Sequence, residues 1–171
     1  MKQFRTVSEI DVQCTPKVLY DFVTTPKNWV GTHPATKAVR GDAESPKSLG
    51  DRWFELVEPP GGRRFEAEWT VVKADPPRQW EIQAKQLGDL PIDCTIIYNI
   101  ENSNRDESDA DSANNYSTSH FERLMVFSLP DEFPVSDDMK KSLTSTEGHE
   151  MYLRAIKDRI ESWRTSNPDR S

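Results

Sequence analysis

Five stretches of this 171-residue chain alternate apolar and polar side chains with a period of two, and tight-turn signals separate them. A period of two puts one face of an extended strand on a core and the other in water. Phe4, Thr6, Ser8, Ile10 and Val12 share a face in the first stretch, with Val7 the exception on the polar side. Phe65, Ala67, Trp69 and Val71 do so in the next, then Trp80, Ile82 and Ala84, then Ile92, Cys94, Ile96, Tyr98 and Ile100. The last, within about 116–129, aligns Phe121, Arg123, Met125 and Phe127. Pro59-Pro60-Gly61-Gly62, Asp75-Pro76-Pro77 and Gly88-Asp89-Leu90-Pro91 supply the turns. Short strands joined this tightly predict an antiparallel sheet, because parallel strands need long crossovers. Shorter strands are expected at 37–40 and 52–57, and in the second Phe54 and Leu56 compete with Trp53 for the inward face.

Helical signals occur in two places. Thr15-Pro16 and Thr25-Pro26 each pair a capping hydroxyl with a proline suited to the first helical position. The first opens a stripe of Val18, Leu19, Phe22 and Val23; the second opens a short helix with Trp29 and Val30, closed by His33-Pro34. At the other end, Leu153, Ile156, Ile160 and Trp163 recur at steps of three and four, one face of a helix running at least from 147 to 164. Carried backward, that face passes through His149 and Thr146, so the buried side turns polar toward its start. Leu143-Thr144-Ser145-Thr146 is a weak helix former and leaves the start of the helix open. The prediction is an α+β domain spanning 1–171, interrupted at about 102–115 by an acidic, flexible extension without large apolar residues.

Composition excludes some partners. Net charge is −7, with 29 acids against 22 bases and no concentrated basic face, which argues against nucleic acid. No stretch approaches the roughly 20 apolar residues of a membrane span, and no apolar run follows the charged start, so the expectation is a cytoplasmic protein. Cys14 and Cys94 are expected to be reduced thiols. There is no nucleophile elbow and no glycine-rich phosphate loop, and the histidines are not at metal-ligand spacing. Neither cofactor nor metal is expected, and a monomer or homodimer is.

The order of elements resembles the START/Bet v 1-like superfamily (SRPBCC, helix-grip) and, within it, the bacterial polyketide cyclase/dehydrase-like group. Ile10-Asp11-Val12 running into Thr15 to Val23, Pro26-Lys27-Asn28-Trp29 with His33-Pro34, and Leu49-Gly50-Asp51-Arg52-Trp53 carry the likeness. Trp69-Thr70-Val71 ahead of Pro76-Pro77-Arg78, and Phe121-Glu122-Arg123 before Met125 and Phe127, extend it. The resemblance implies a curved antiparallel sheet wrapped around the C-terminal helix, with a cavity between them for a lipid, polyketide or aromatic molecule. Its members include carriers, receptors, cyclases and chaperone activators, so binding, acid/base enzymology and protein interaction are all carried forward.

Residues follow from the faces. Trp29, Trp53, Trp69, Trp80, Tyr98 and Phe121 are candidate cavity walls, their N–H and O–H groups suited to a ligand with rings and a few oxygens. Each is also an ordinary core filler. Arg123, if inward, needs a carboxylate or an anionic ligand group; an internal ion pair or an outward-facing strand is the commoner arrangement. His33 and His149 complete the candidate set. His149 is the catalytic candidate, since an ordinary imidazole titrates near neutrality. His120 has the opposite parity to Arg123 and is expected outside.

Overall fold

Seven strands form one antiparallel sheet in the order β1-β7-β6-β5-β4-β3-β2 in this computed structural model, which describes residues 1–103 and 117–166. They are β1 (Lys2–Val12), β2 (Thr36–Arg40), β3 (Arg52–Val57), β4 (Phe65–Asp75), β5 (Gln79–Ala84), β6 (Asp93–Asn102) and β7 (Ser119–Leu129). The extension expected to be flexible lies, beyond Ser103, outside the described residues. The first and last strands are neighbours, in register from Lys2 against Leu129 to Val12 against Ser119. Shifts of register between Thr36 and Ala38, and between Val71 and Lys73, mark bulges in β2 and β4, the local device by which a sheet bends.

Helix α1 (Pro16–Val23) begins as expected, with Thr15 Oγ1 accepting from the Val18 N–H at 3.3 Å and Pro16 at the first position. The second signal gives a short helix of the 3-10 kind. Pro26–Trp29 is a single 3-10 turn, and the Thr25 hydroxyl donates back to the Asp21 carbonyl at 2.7 Å instead of capping it. At the C-terminus the weak run resolves into two helices. Ser136 caps α2 (Asp137–Thr144) by accepting from the Met139 N–H at 3.2 Å, with Asp137 and Asp138 in the first turn. Ser145 then adopts an extended backbone, and α3 (Glu147–Ser166) follows.

The concave face of the sheet and α3 enclose the main core. Tyr152, Leu153, Ile156 and Ile160 are the buried residues of α3. Trp163, expected among them, is 47% exposed. In that last turn the side facing β1 is carried instead by Glu161, which accepts from the Gln13 N–H, and by Arg164, which donates to the Gln13 carbonyl. A smaller core of Ile92, Leu129 and Leu143 pins α2, with Phe4, Phe133, Val135 and Met139 packed around it.

An aromatic file crosses the sheet. Trp53 stacks on Trp80 with centroids 5.8 Å apart, Trp80 meets Tyr98 at 5.4 Å, and Tyr98 meets Phe121 edge-on at 5.1 Å. Trp29, brought over the sheet by the 3-10 turn, sets its edge against Trp53, Trp69 and Trp80 at 5.6, 6.5 and 6.3 Å. Such pairs contribute about 0.5–1.5 kcal/mol each beyond their buried area. They make this end of the sheet a packed solid and leave the open volume toward α2.

Candidate functional site

A cavity of about 550 Å³ lies between the sheet, the segment from Trp29 to Ala35, and the α2–α3 junction. Val57, Phe65, Ala67, Ile96, Met125 and Phe127 give it an apolar lining from four strands. Exposed Pro60, Asp138, Lys141, Ser145, Glu147 and Met151 surround its mouth. Its size and mostly apolar wall with a few convergent polar groups are those of a small-molecule site.

Position along the sheet sorts the candidate residues, since those on strands all face inward. Trp29, His33, Trp69, Tyr98, Arg123 and His149 line the cavity. Trp53, Trp80 and Phe121 do not: they are fully buried and belong to the packed file behind it. The indole N–H groups, expected to meet a ligand, are mostly occupied within the protein. Trp29 Nε1 donates to the Val23 carbonyl at 2.9 Å, Trp80 Nε1 to the Lys47 carbonyl at 3.1 Å, and Trp69 Nε1 to Glu55 Oε2 at 2.7 Å. Trp53 Nε1 is buried with no partner among the described residues.

The sequence reading did not single out Glu55. On β3 it follows Trp53 onto the inward face, opposite Ala67 of β4, and lines the cavity while 5% exposed. Thr36 Oγ1 donates to Oε1 at 2.5 Å, and Trp69 donates to Oε2. Burial pushes its pKa up; the two hydrogen bonds and the Arg123 charge pull the other way. Tyr152 was missed as well. Its hydroxyl lies 3.5 Å from that of Tyr98, and its ring packs 4.9 Å from His33 and 5.7 Å below the Arg123 guanidinium. The signals were a carboxylate sharing parity with Trp53 and a tyrosine three residues after His149 on the same helix face.

Arg123 connects these groups. It faces inward and is 4% exposed, with Tyr98 directly opposite on β6. Its Nη1 donates to His149 Nδ1 at 2.5 Å and contacts Met125 Sδ at 3.8 Å, with the Tyr152 ring beneath the guanidinium. Guanidinium nitrogens only donate, so His149 must accept at Nδ1 and carry its proton on Nε2. Burial, with the Arg123 charge second, lowers the His149 pKa to about 3. His33 is held well below its ordinary value by burial, then by Arg123 and His149. Both imidazoles are therefore neutral at pH 7. Tyr98 and Tyr152 are pushed up, chiefly by burial. The floor of the cavity thus joins a buried cation, neutral imidazoles and un-ionised phenols beside a carboxyl whose oxygens are taken. It can hold and polarise an oxygen of a bound molecule. His120 stands apart on the outer face, 2.8 Å from Asp11 and 3.5 Å from Glu9.

Norcoclaurine synthase of Thalictrum flavum, a point mutant in complex with a transition-state analogue, superposes with a TM-score of 0.65. It is 12% identical, and the match covers 95% of this chain and 97% of that one. A START superfamily protein of Mycobacterium smegmatis also reaches 0.65, at 14% identity and 94% and 99% coverage. The chain has the START/Bet v 1-like fold. No family model matches it. In sequence it is 29% identical over 164 residues to penitrem biosynthesis cluster 1 protein I of the fungus Penicillium ochrochloron, covering 94% of this chain and 99% of that protein. That relative is fungal, whereas the resemblance read from the sequence was to a bacterial group. No helix among the described residues is long and apolar enough to cross a membrane.

Proposed function

We propose that the protein binds a mostly apolar organic molecule in the cavity between the sheet and the α2–α3 junction. The observation that carries this reading is the cavity itself: about 550 Å³, with mostly apolar walls and a few polar groups at its floor and mouth. The biosynthesis-cluster relative and the ligand-bound norcoclaurine synthase structure favour a secondary-metabolite-like compound with rings over a bulk lipid. The six lining candidates Trp29, His33, Trp69, Tyr98, Arg123 and His149 serve as contacts. Trp53, Trp80 and Phe121 serve as the rigid backing.

A thermal-shift screen against polyketides, flavonoids, aromatic alkaloids and fatty acids tests it, because a ligand that binds only the folded chain raises its melting temperature. At a hundredfold excess over Kd the gain is about 2.7 kcal/mol, which for a chain of this size is roughly 5–10 °C. Absence of any shift across the panel, with native mass spectrometry recording only the bare chain, would sink the reading.

A second reading, an acid/base enzyme of cyclase or dehydrase type in the same cavity, is favoured by one observation. Glu55 is a buried carboxyl with a raised pKa on the cavity wall, close enough to Arg123 to feel its charge. In that reading the proton role passes from His149, whose Nδ1 is engaged by Arg123, to Glu55. Its test is turnover of a bound compound that Glu55→Gln abolishes while leaving binding intact. The chaperone-activator alternative gains no support, since the exposed apolar residues Val7, Val18, Val30, Leu49 and Leu90 are scattered over different elements.

A further inference from the structure

Buried cations in proteins are normally neutralised by a carboxylate in contact, because leaving a charge alone in a low-dielectric interior is costly. Arg123 breaks that pattern. It is 4% exposed, and among the described residues no carboxylate lies within ion-pair distance. Glu55 faces the same cavity, but its two oxygens already accept from Thr36 and Trp69. The partners that Arg123 does have are neutral: the His149 imidazole, the Met125 thioether and the face of the Tyr152 ring. Its Nε is buried with no acceptor at all among the described residues. One charge and at least one strong donor are therefore left unmatched at the floor of a mostly apolar cavity.

We infer that the molecule bound in this cavity carries an oxyanion, a carboxylate or an enolate, which seats on Arg123 while its apolar body lies along Met125, Phe127, Phe65 and Ile96. The inference rests on the cavity-binding reading and adds the charge of the ligand to it. His149 has a positioning role: its Nδ1 takes one guanidinium N–H and fixes the plane of the other donors. The Tyr98 and Tyr152 hydroxyls, 3.5 Å apart, stand beside the same spot as neutral donors. A hydrogen bond to a charged group is worth more than one between neutral groups, and desolvation widens the difference.

N-Phenylnaphthylamine, an uncharged dye that brightens in apolar cavities, is the reporter, displaced by dodecanoate or by dodecanol, which share a chain length and differ in charge. The wild-type chain is expected to bind the dye and to release it at a dodecanoate concentration at least about tenfold below that of dodecanol. In Arg123→Met the dye still binds and the advantage of the acid disappears. If Arg123→Met shows no cooperative melt, Arg123→Gln, which keeps a neutral donor, replaces it with the same expectation. Equal displacement by acid and alcohol in the wild-type chain, or an acid preference that survives loss of the guanidinium, overturns the oxyanion inference and leaves the cavity reading standing. Failure of the wild-type chain to bind dye, acid or alcohol overturns both.

Discussion

Acidification between pH 7.5 and 5 should destabilise the protein through His149. Its pKa is about 3 in the folded chain against an ordinary 6.5, so across this window the unfolded state binds a proton that the folded state refuses. Stability is therefore full above about pH 6.5 and falls as pH drops. At pH 5 the linkage amounts to about 2 kcal/mol, and allowing for the partial exposure of His149 leaves roughly 1 kcal/mol. His33, also held low, adds a loss of the same sign. Two groups oppose it. The pKa of His120 is raised, mainly by its hydrogen bond to Asp11, so its contribution is present below pH 6.5 and is lost as pH rises. Glu55, raised by burial, likewise favours the folded chain on acidification. A comparison with His149→Asn cancels these terms, since asparagine still offers Arg123 an acceptor but does not titrate. Urea unfolding at pH 7.5, 6.5, 5.5 and 5 should show the wild-type chain losing about 1 kcal/mol more than the variant. Parallel curves for the two proteins, or a wild-type chain that gains on its variant as pH falls, would refute the placement of His149 as a neutral acceptor.

Trp80→Phe should cost about 1 kcal/mol more than Trp53→Phe in urea unfolding, because only the Trp80 N–H has a protein acceptor to lose. Both thiols should react slowly with an aromatic disulfide reagent at pH 8 and quickly once the chain is unfolded. Burial pushes Cys14 up to about 11 and Cys94 further still. Gly148→Ala should raise stability by up to about 1 kcal/mol, as a Cβ there would meet Pro34 Cγ at an ordinary 3.8 Å inside a helix; equilibrium unfolding decides. Ser136→Ala should lose about 1 kcal/mol and loosen α2, visible as faster amide exchange over 137–144.

Most of the fold was legible because alternation is a local property: Trp69, Trp80, Tyr98 and Arg123 each point where their parity says. Helix α2 was not, since eight residues carrying Met139 and Leu143 make too short a stripe to stand out from a loop. Trp163 continued a stripe that the structure ends one turn earlier, where Glu161 and Arg164 take over the contact with Gln13. The site was half legible. Arg123 and His149 could be placed on inward faces, but their bond joins residues 26 apart in sequence and depends on where α3 begins. Glu55 was hidden because Phe54 and Leu56 argued for the opposite face. Its burial rests on donors from Thr36 and Trp69, 19 and 14 residues away, which no local pattern announces.

The pairing of β1 with β7 also constrains how the chain is made. Lys2 waits for Leu129 and Val12 for Ser119, so β1 finds its strand partner only in β7, the last of the described strands along the chain. Until then its inward face, with Phe4, Ile10 and Val12, is an open template. Contacts this distant in sequence slow folding, and a nascent chain leaving a ribosome spends that time with an unclosed edge. Glu9 and Asp11, on the opposite face, place two negative charges on it. With Arg5 on the same face, they set like charges side by side in a parallel, in-register second copy of the strand, which disfavours that pairing when self-association is easiest.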